Sequence, residues 1–180
     1  YHQTLDVVIA AARTQRSWYQ ASYGTGDSPN SPPDCMSLDT LEGFGDPTAD
    51  QSGELGYGPH DCTACQWSKW ESARNGGDGQ DCAQVVLLVC FQLDSILPVI
   101  IRIPPASLKN WTKYVADRFS KKQRTSDVVT RLGLEKVKAA SDFSRVTFKP
   151  VGLVPEDSRE RVKEASRLCS QMLGKDVAGV

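Results

Sequence analysis

The chain has 180 residues, 39% of them hydrophobic, and a formal net charge of −1. That length fits one domain with at most a small appended module, and the apolar content suffices for a core. No run of about 18 apolar residues occurs, which excludes a membrane-spanning helix, and no leader pattern is visible.

The near-zero charge hides an uneven distribution. Residues 1–80 carry four basic residues (Arg13, Arg16, Lys69, Arg74) against eleven acidic ones. Residues 100–149 carry twelve Lys or Arg against four acids (Asp117, Asp127, Glu135, Asp142), a local balance of +8. Such asymmetry points to a basic surface that meets an anionic partner, although solvated Lys-rich faces produce the same count. The first residue is Tyr1 rather than Met, so a fragment of a longer chain is expected.

In chain order, residues 5–12 (Leu5-Asp-Val-Val-Ile-Ala-Ala-Ala12) read as a strand entering the core. From Tyr23 to Gln80 periodicity is lost among Gly, Pro, Asp and Ser. So long a structureless stretch is unusual inside a domain, and a metal is the simplest agent to order it, because ligand binding energy then serves as folding energy. Val85–Phe91 and Leu97–Ile103 are continuous β-rich runs, and Gln92 to Ile96 suits a hairpin link. Ser107 is placed as the N-cap of a helix to about Lys121. Leu108, Trp111, Val115 and Phe119 form its apolar stripe. Asp127–Val137 and Asp142–Lys149 read as strands. Pro155 opens a last helix to about Leu173, with Val162, Ala165, Leu168 and Met172 inside.

The order β, long insert, β-β, α, β-β, α predicts an α+β, mainly β chain. An OB-like five-stranded barrel would span residues 1–155, with a cysteine-rich zinc insert (24–84) between strands 1 and 2 and a C-terminal helix over 156–180. OB barrels bind oligonucleotides with the strand 2–3 face and the 1–2 and 4–5 loops.

Four cysteines fall in the insert: Cys35, Cys62, Cys65 and Cys82, spaced C-x26-C-x2-C-x16-C. A C-x-x-C knuckle with two distant partners is the pattern of a closed, tetrahedral, structural Zn2+ site. His60 could replace one cysteine. Cys90 and Cys169 read as buried small hydrophobes. A deaminase would need a glutamate base placed against its first ligand, and Pro59-His60-Asp61 supplies none. A redox C-x-x-C would need a β-α-β setting that is absent.

Trp67 and Trp70 follow the knuckle with Lys69 between them and Arg74 after. Rings interleaved with cations suit single-stranded nucleic acid, where bases stack and phosphates meet charge. Trp67 is expected to pack against the metal site instead, and Trp70 to be the stacking residue. Lys109, Lys113, Arg118, Lys121, Lys122 and Arg124 lie off the helix stripe, near Arg102 and Arg131 on flanking strands. Trp70, Lys69, Arg74, Arg102, Lys109, Lys113, Lys121, Lys122, Arg124 and Arg131 are therefore the candidate nucleic-acid contacts.

Four segments in order carry a resemblance: Pro33-Asp34-Cys35-Met-Ser37-Leu-Asp39; Cys62-x-x-Cys65 with Trp67 and Ser72; Gly76-Gly77-Asp78-Gly79-Gln80-Asp81-Cys82; and Ile103-Pro104-Pro105-Ala106-Ser107-Leu108-Lys109-Asn110-Trp111. With Val128-Val129-Thr130-Arg131-Leu132, they resemble a phage- and plasmid-encoded family of zinc-binding, single-stranded-DNA-binding-like proteins over residues 5–155. The resemblance implies a role among replication and recombination proteins and, for a phage or plasmid gene, the bacterial cytoplasm. Two positions depart from the family pattern: Thr40 stands where Gly is common after Asp39, and Asp81 and Ala83 flank the last cysteine where basic residues are usual.

The expectation is a non-enzymatic protein that binds single-stranded DNA, with structural zinc and no membrane contact. A zinc-stabilised protein-interaction adaptor is the alternative. A zinc hydrolase or nuclease ranks third, because His2 and His60 are the only histidines.

Overall fold

A computed structural model describes residues 4–20, 32–47, 58–74, 76–95, 97–138 and 142–173. Among the described residues the chain is mainly β: eight strands, antiparallel wherever their register is described, and a C-terminal helix. The strands are β1 (Leu5–Trp18), β2 (Cys35–Ser37), β3 (Glu42–Gly45), β4 (Gly58–Asp61), β5 (Ala83–Phe91), β6 (Val99–Ile103), β7 (Val128–Val137) and β8 (Phe143–Leu153). The helices are α1 (Leu108–Ser120) and α2 (Glu156–Met172). Two compact units emerge, residues 1–13 with 86–180, and residues 14–85. The second unit is wider than the expected insert because β1 runs six residues past Ala12 and pairs there with β2. The insert's expected start at residue 24 lies outside the described residues.

In the first unit the hydrogen-bonded order is β6-β5-β1-β7-β8. Leu5–Val8 of β1 pair with Leu132–Val129, and β7 and β8 form a long hairpin from Val128↔Leu153 to Val137↔Phe143. A closed OB barrel would also pair β6 with β8. Among the described residues no such pairing occurs, so the arrangement is open along that edge.

Strand alternation sends successive side chains to opposite faces. Val7 and Ile9 therefore join Val86, Leu88, Cys90, Ile103, Leu132, Trp111 and Tyr114 in the main core. Val8, on the other face, packs with Val154 and Val162, and so seats α2 against β1. Burial on both faces is why this strand reads as an uninterrupted apolar run.

The helices depart from expectation in detail. Ser107 precedes α1, but its hydroxyl caps nothing and accepts the Val146 N–H at 2.9 Å, pinning β8 to the helix start. The buried stripe of α1 is Trp111, Tyr114 and Arg118, with Leu108 and Val115 only partly buried. Phe119, expected inside, is 68% exposed. Arg118, expected on the basic face, is buried over the Tyr114 ring and hydrogen-bonded to Gln123 at 2.9 Å. On α2 only Val162 of the predicted stripe is fully buried; Leu168 is 45% exposed, and the side chain of Met172 lies outside the described residues. Cys90 is wholly buried as expected, whereas Cys169 is half-buried.

Burial pushes the Cys90 thiol up to about 12, from an ordinary value near 9. Its folded form holds a proton that the unfolded chain releases, so this contribution to stability is intact below about pH 9 and is lost as pH climbs towards 12. Chemical denaturation at stepped pH will show the stability gap between the wild type and Cys90→Ala narrowing across that window. A gap that stays constant from pH 8 to pH 11 refutes this account.

Candidate metal centre and nucleic-acid interface

The second unit is built from short pieces that depend on local polar bonds. Trp18 of β1 pairs with Cys35 of β2, Cys35 with Gly45 of β3, and Gly43 with His60 of β4. The knuckle is a turn held by Asp61, whose carboxylate accepts the Thr63 N–H at 2.8 Å and hydroxyl at 2.7 Å, while its carbonyl accepts the Cys65 N–H at 3.1 Å. Ser68, buried beside it, donates to the Cys62 and Cys65 carbonyls. The Cys82 N–H bonds the Trp67 carbonyl at 2.8 Å, which brings the last cysteine back to the knuckle.

All four cysteines line one small cavity of about 20 Å³, together with Trp18, His60 and Trp67. That volume holds a single water-sized body. Gly43 makes the approach possible: a Cβ there would sit 3.2 Å from the sulfurs of both Cys35 and Cys62. Gly45 has φ +124°, and a Cβ would lie 2.0 Å from the Asp34 carbonyl, so no other residue fits. The thiols are not drawn into a formed cluster. Among the described residues, no group of three or more His, Cys, Asp or Glu side chains is arranged to hold a metal ion.

Burial, reinforced by the neighbouring thiols, pushes Cys35 up to about 11. Burial takes Cys82 to about 12 against the opposing pull of Arg16, and raises Cys62 as well. Arg16 donates to the Cys82 carbonyl at 3.1 Å. It is the nearby cation that favours thiolate, a role its position before Trp18 did not announce. The His60 ring bonds the Gly45 carbonyl through Nε2 at 2.8 Å, the kind of contact that orients a histidine beside a metal.

Two indole rings pack on the thiols, and charged groups hold the rings. Trp67 stacks on Trp18 with ring centroids 5.7 Å apart and planes at 26°, and its indole N–H donates to the Pro47 carbonyl at 2.9 Å. The Arg74 guanidinium lies 4.9 Å from the Trp18 centroid. Asp81 ties ring and guanidinium together, accepting Trp18 Nε1 at 2.6 Å and Arg74 Nε at 2.8 Å. An acid beside the last cysteine is thus a structural partner. Arg74 also donates to the Tyr19 and Gln20 carbonyls, so its guanidinium is committed within the unit and is not a free phosphate contact. Trp70 stands 74% exposed beside the exposed Lys69.

In the first unit, Lys109 and Lys113 sit one turn apart on the exposed face of α1. Lys121 pairs with Asp117 at 3.0 Å, and Arg131 binds Asp6 through two 2.7 Å bonds. Lys122, just past the end of α1, is in a left-handed conformation, φ 54°. Arg102 and Arg124 are exposed. The +8 stretch is therefore weaker than its count, because Arg118 is buried and Lys121, Arg131 and Lys136 face acids.

Comparison with known protein families, with curated proteins and with solved structures found no match to this chain. No helix among the described residues is long and apolar enough to cross a membrane.

Thr40 has φ 68°, a region that disfavours a β-branched side chain. The Asp39 carboxylate holds the turn by accepting the Leu41 and Glu42 N–H groups at 2.8 and 2.9 Å. Glycine at this position relieves the strain, so Thr40→Gly is expected to stabilise the second unit by about 1 kcal/mol. Urea unfolding followed by tryptophan fluorescence measures this; a variant less stable than wild type refutes the strain.

Proposed function

We propose that the protein is a non-enzymatic, single-stranded-DNA-binding protein of OB type, acting in phage or plasmid replication or recombination, with a structural zinc in its second unit. The observation that carries the reading is the strand pairing of the first unit. Of the five neighbour pairs in an OB barrel, β1–β5, β5–β6, β1–β7 and β7–β8 are present, with α1 between the third and fourth strands. OB barrels are often only partly closed, so the missing β6–β8 pair is compatible with the assignment. Residues 14–85 fall in the connection between the first and second barrel strands, one of the two loops through which such barrels contact oligonucleotides.

Cys35, Cys62, Cys65 and Cys82 would hold the zinc ion. Four sulfur donors around one ion-sized cavity suit Zn2+, and Gly43 leaves room for two of them. A bound ion would supply folding energy to a unit with a small core, Trp18, Cys35 and Cys82 packed against Trp67. Among the candidate contacts, Trp70 and Lys69 fit base stacking with phosphate pairing, and Lys109, Lys113 and Arg124 fit a phosphate-binding surface.

A second reading has its own support. Leu41, Phe44 and Leu38 are 59%, 56% and 43% exposed on the β2–β3 side of the acidic unit, which fits a zinc-ordered loop that docks a protein.

Metal analysis of the purified wild type is expected to give about one zinc per chain, and Cys65→Ser to lose both the metal and the tryptophan environment of the second unit. Wild type without zinc overturns the metal assignment. Oligo-dT is expected to bind at low salt and to weaken linearly on a log–log salt plot, with a slope of roughly −0.7 for each phosphate neutralised. No binding at the lowest salt overturns the DNA reading, and capture of a protein partner that DNA does not displace favours the adaptor.

A further inference from the structure

A large concavity of the first unit, about 920 Å³, lies along β1 and α2, with Trp111 and Val115 of α1 also lining it. Its origin is a gap in the sheet. β1 pairs with β7 only as far as Val8, so the edge beyond has no strand beside it in this unit among the described residues. The Ile9 and Ala10 carbonyls are met instead by hydroxyls, from Thr125 at 3.3 Å and from Ser166 of α2. Ala10, Ala11 and Ala12 are too small to fill the space between strand and helix. α2 is anchored mainly by Val162, with Val154 beneath it, and the rest of its inner face leaves a trough.

The floor of this trough is apolar and its walls are cationic. Arg159, Lys163 and Arg167 repeat every four residues along one side of α2, and Arg124 stands on the opposite wall. Two acids also line it: Asp127, whose carboxylate accepts the Arg124 N–H at 2.9 Å, and Glu160. Arg167 is held by Glu164 at 2.6 Å, and Arg159 faces Glu156 at 3.9 Å and donates to the Val154 carbonyl at 3.2 Å. Arg124 and Lys163 are exposed, and neither side chain has an ion pair within 4 Å among the described residues.

We propose that this groove between β1 and α2 is the track of the single-stranded nucleic acid, with phosphates on Arg124 and Lys163 and bases against the exposed Leu153 and the half-buried Val115 and Ala12. The inference rests on the DNA-binding reading and deepens it, because it moves the principal contacts from α1 to α2 and the segment after α1. An apolar trough with cations on both rims matches a polyanion whose bases are apolar-faced.

The test uses the full chain and fluorescein-labelled oligo-dT, with anisotropy titrations at rising NaCl. Arg124→Glu/Lys163→Glu is expected to weaken binding at least roughly tenfold at low salt and to flatten the salt slope by about 0.7 for each phosphate that is no longer neutralised. Lys109→Glu/Lys113→Glu on α1 is expected to change affinity less. If the groove variant binds as the wild type does, the groove is overturned and the DNA reading stands. If the wild type does not bind at all, both fall. Circular dichroism checks that the variants fold. Should the groove variant not fold, wild type photocrosslinked to bromodeoxyuridine-containing oligonucleotide gives the same decision. Adducts on peptides containing Arg124 or α2 support the groove, and adducts confined elsewhere refute it.

Discussion

Burial of β1 on both faces is the constraint from which the first unit follows. Val7 and Ile9 close the main core, while Val8 takes the base of α2. A strand with two buried faces cannot slip by one residue at low cost, since both faces would exchange partners. Its register with β7 is thereby fixed, and β7 carries β8 with it as a hairpin. The same strand sets the limits of the unit: β7 leaves it after Val8, and α2 spans the space beyond without filling it.

The second unit rests on different physics. Few of its residues form a core, and its strands have three or four residues each. Side chains bonded to main chain hold it: Asp39 and Asp61 organise turns, and Ser68 fastens the knuckle. Asp81 joins Trp18 to Arg74. The Trp18 and Trp67 rings pack on the thiols, and burial keeps Cys35 and Cys82 well above the ordinary thiol range. A cation among the thiols would reverse that balance, because it stabilises the thiolate directly.

Charge was the least legible property in the sequence. The basic stretch 100–149 contains its own acids, and strand register brings others: Asp6 meets Arg131 only because β1 pairs with β7. Arg118 falls off the Leu108–Phe119 spacing, which places it on the surface by pattern alone. The observed stripe is rotated towards Tyr114, and the guanidinium goes inside over that ring. Arg74 illustrates the same limit. Its position after two tryptophans suited phosphate binding, but Asp81 and two backbone carbonyls claim it.

Local features were readable in the chain itself. The β-rich runs, the helix start after the double proline, the Pro155 boundary and the unusual insert all follow from neighbouring residues and their spacing. So does the grouping of the four cysteines as one set, although their common cavity depends on Gly43 and on the return of Cys82 to Trp67. Tertiary structure alone decided which cations face solvent, where the sheet stays open and where a groove forms. Those outcomes depend on residues more than a hundred positions apart, as Asp6 and Arg131 are. Which strands pair, and in what register, is set by partners far along the chain, which no local pattern encodes.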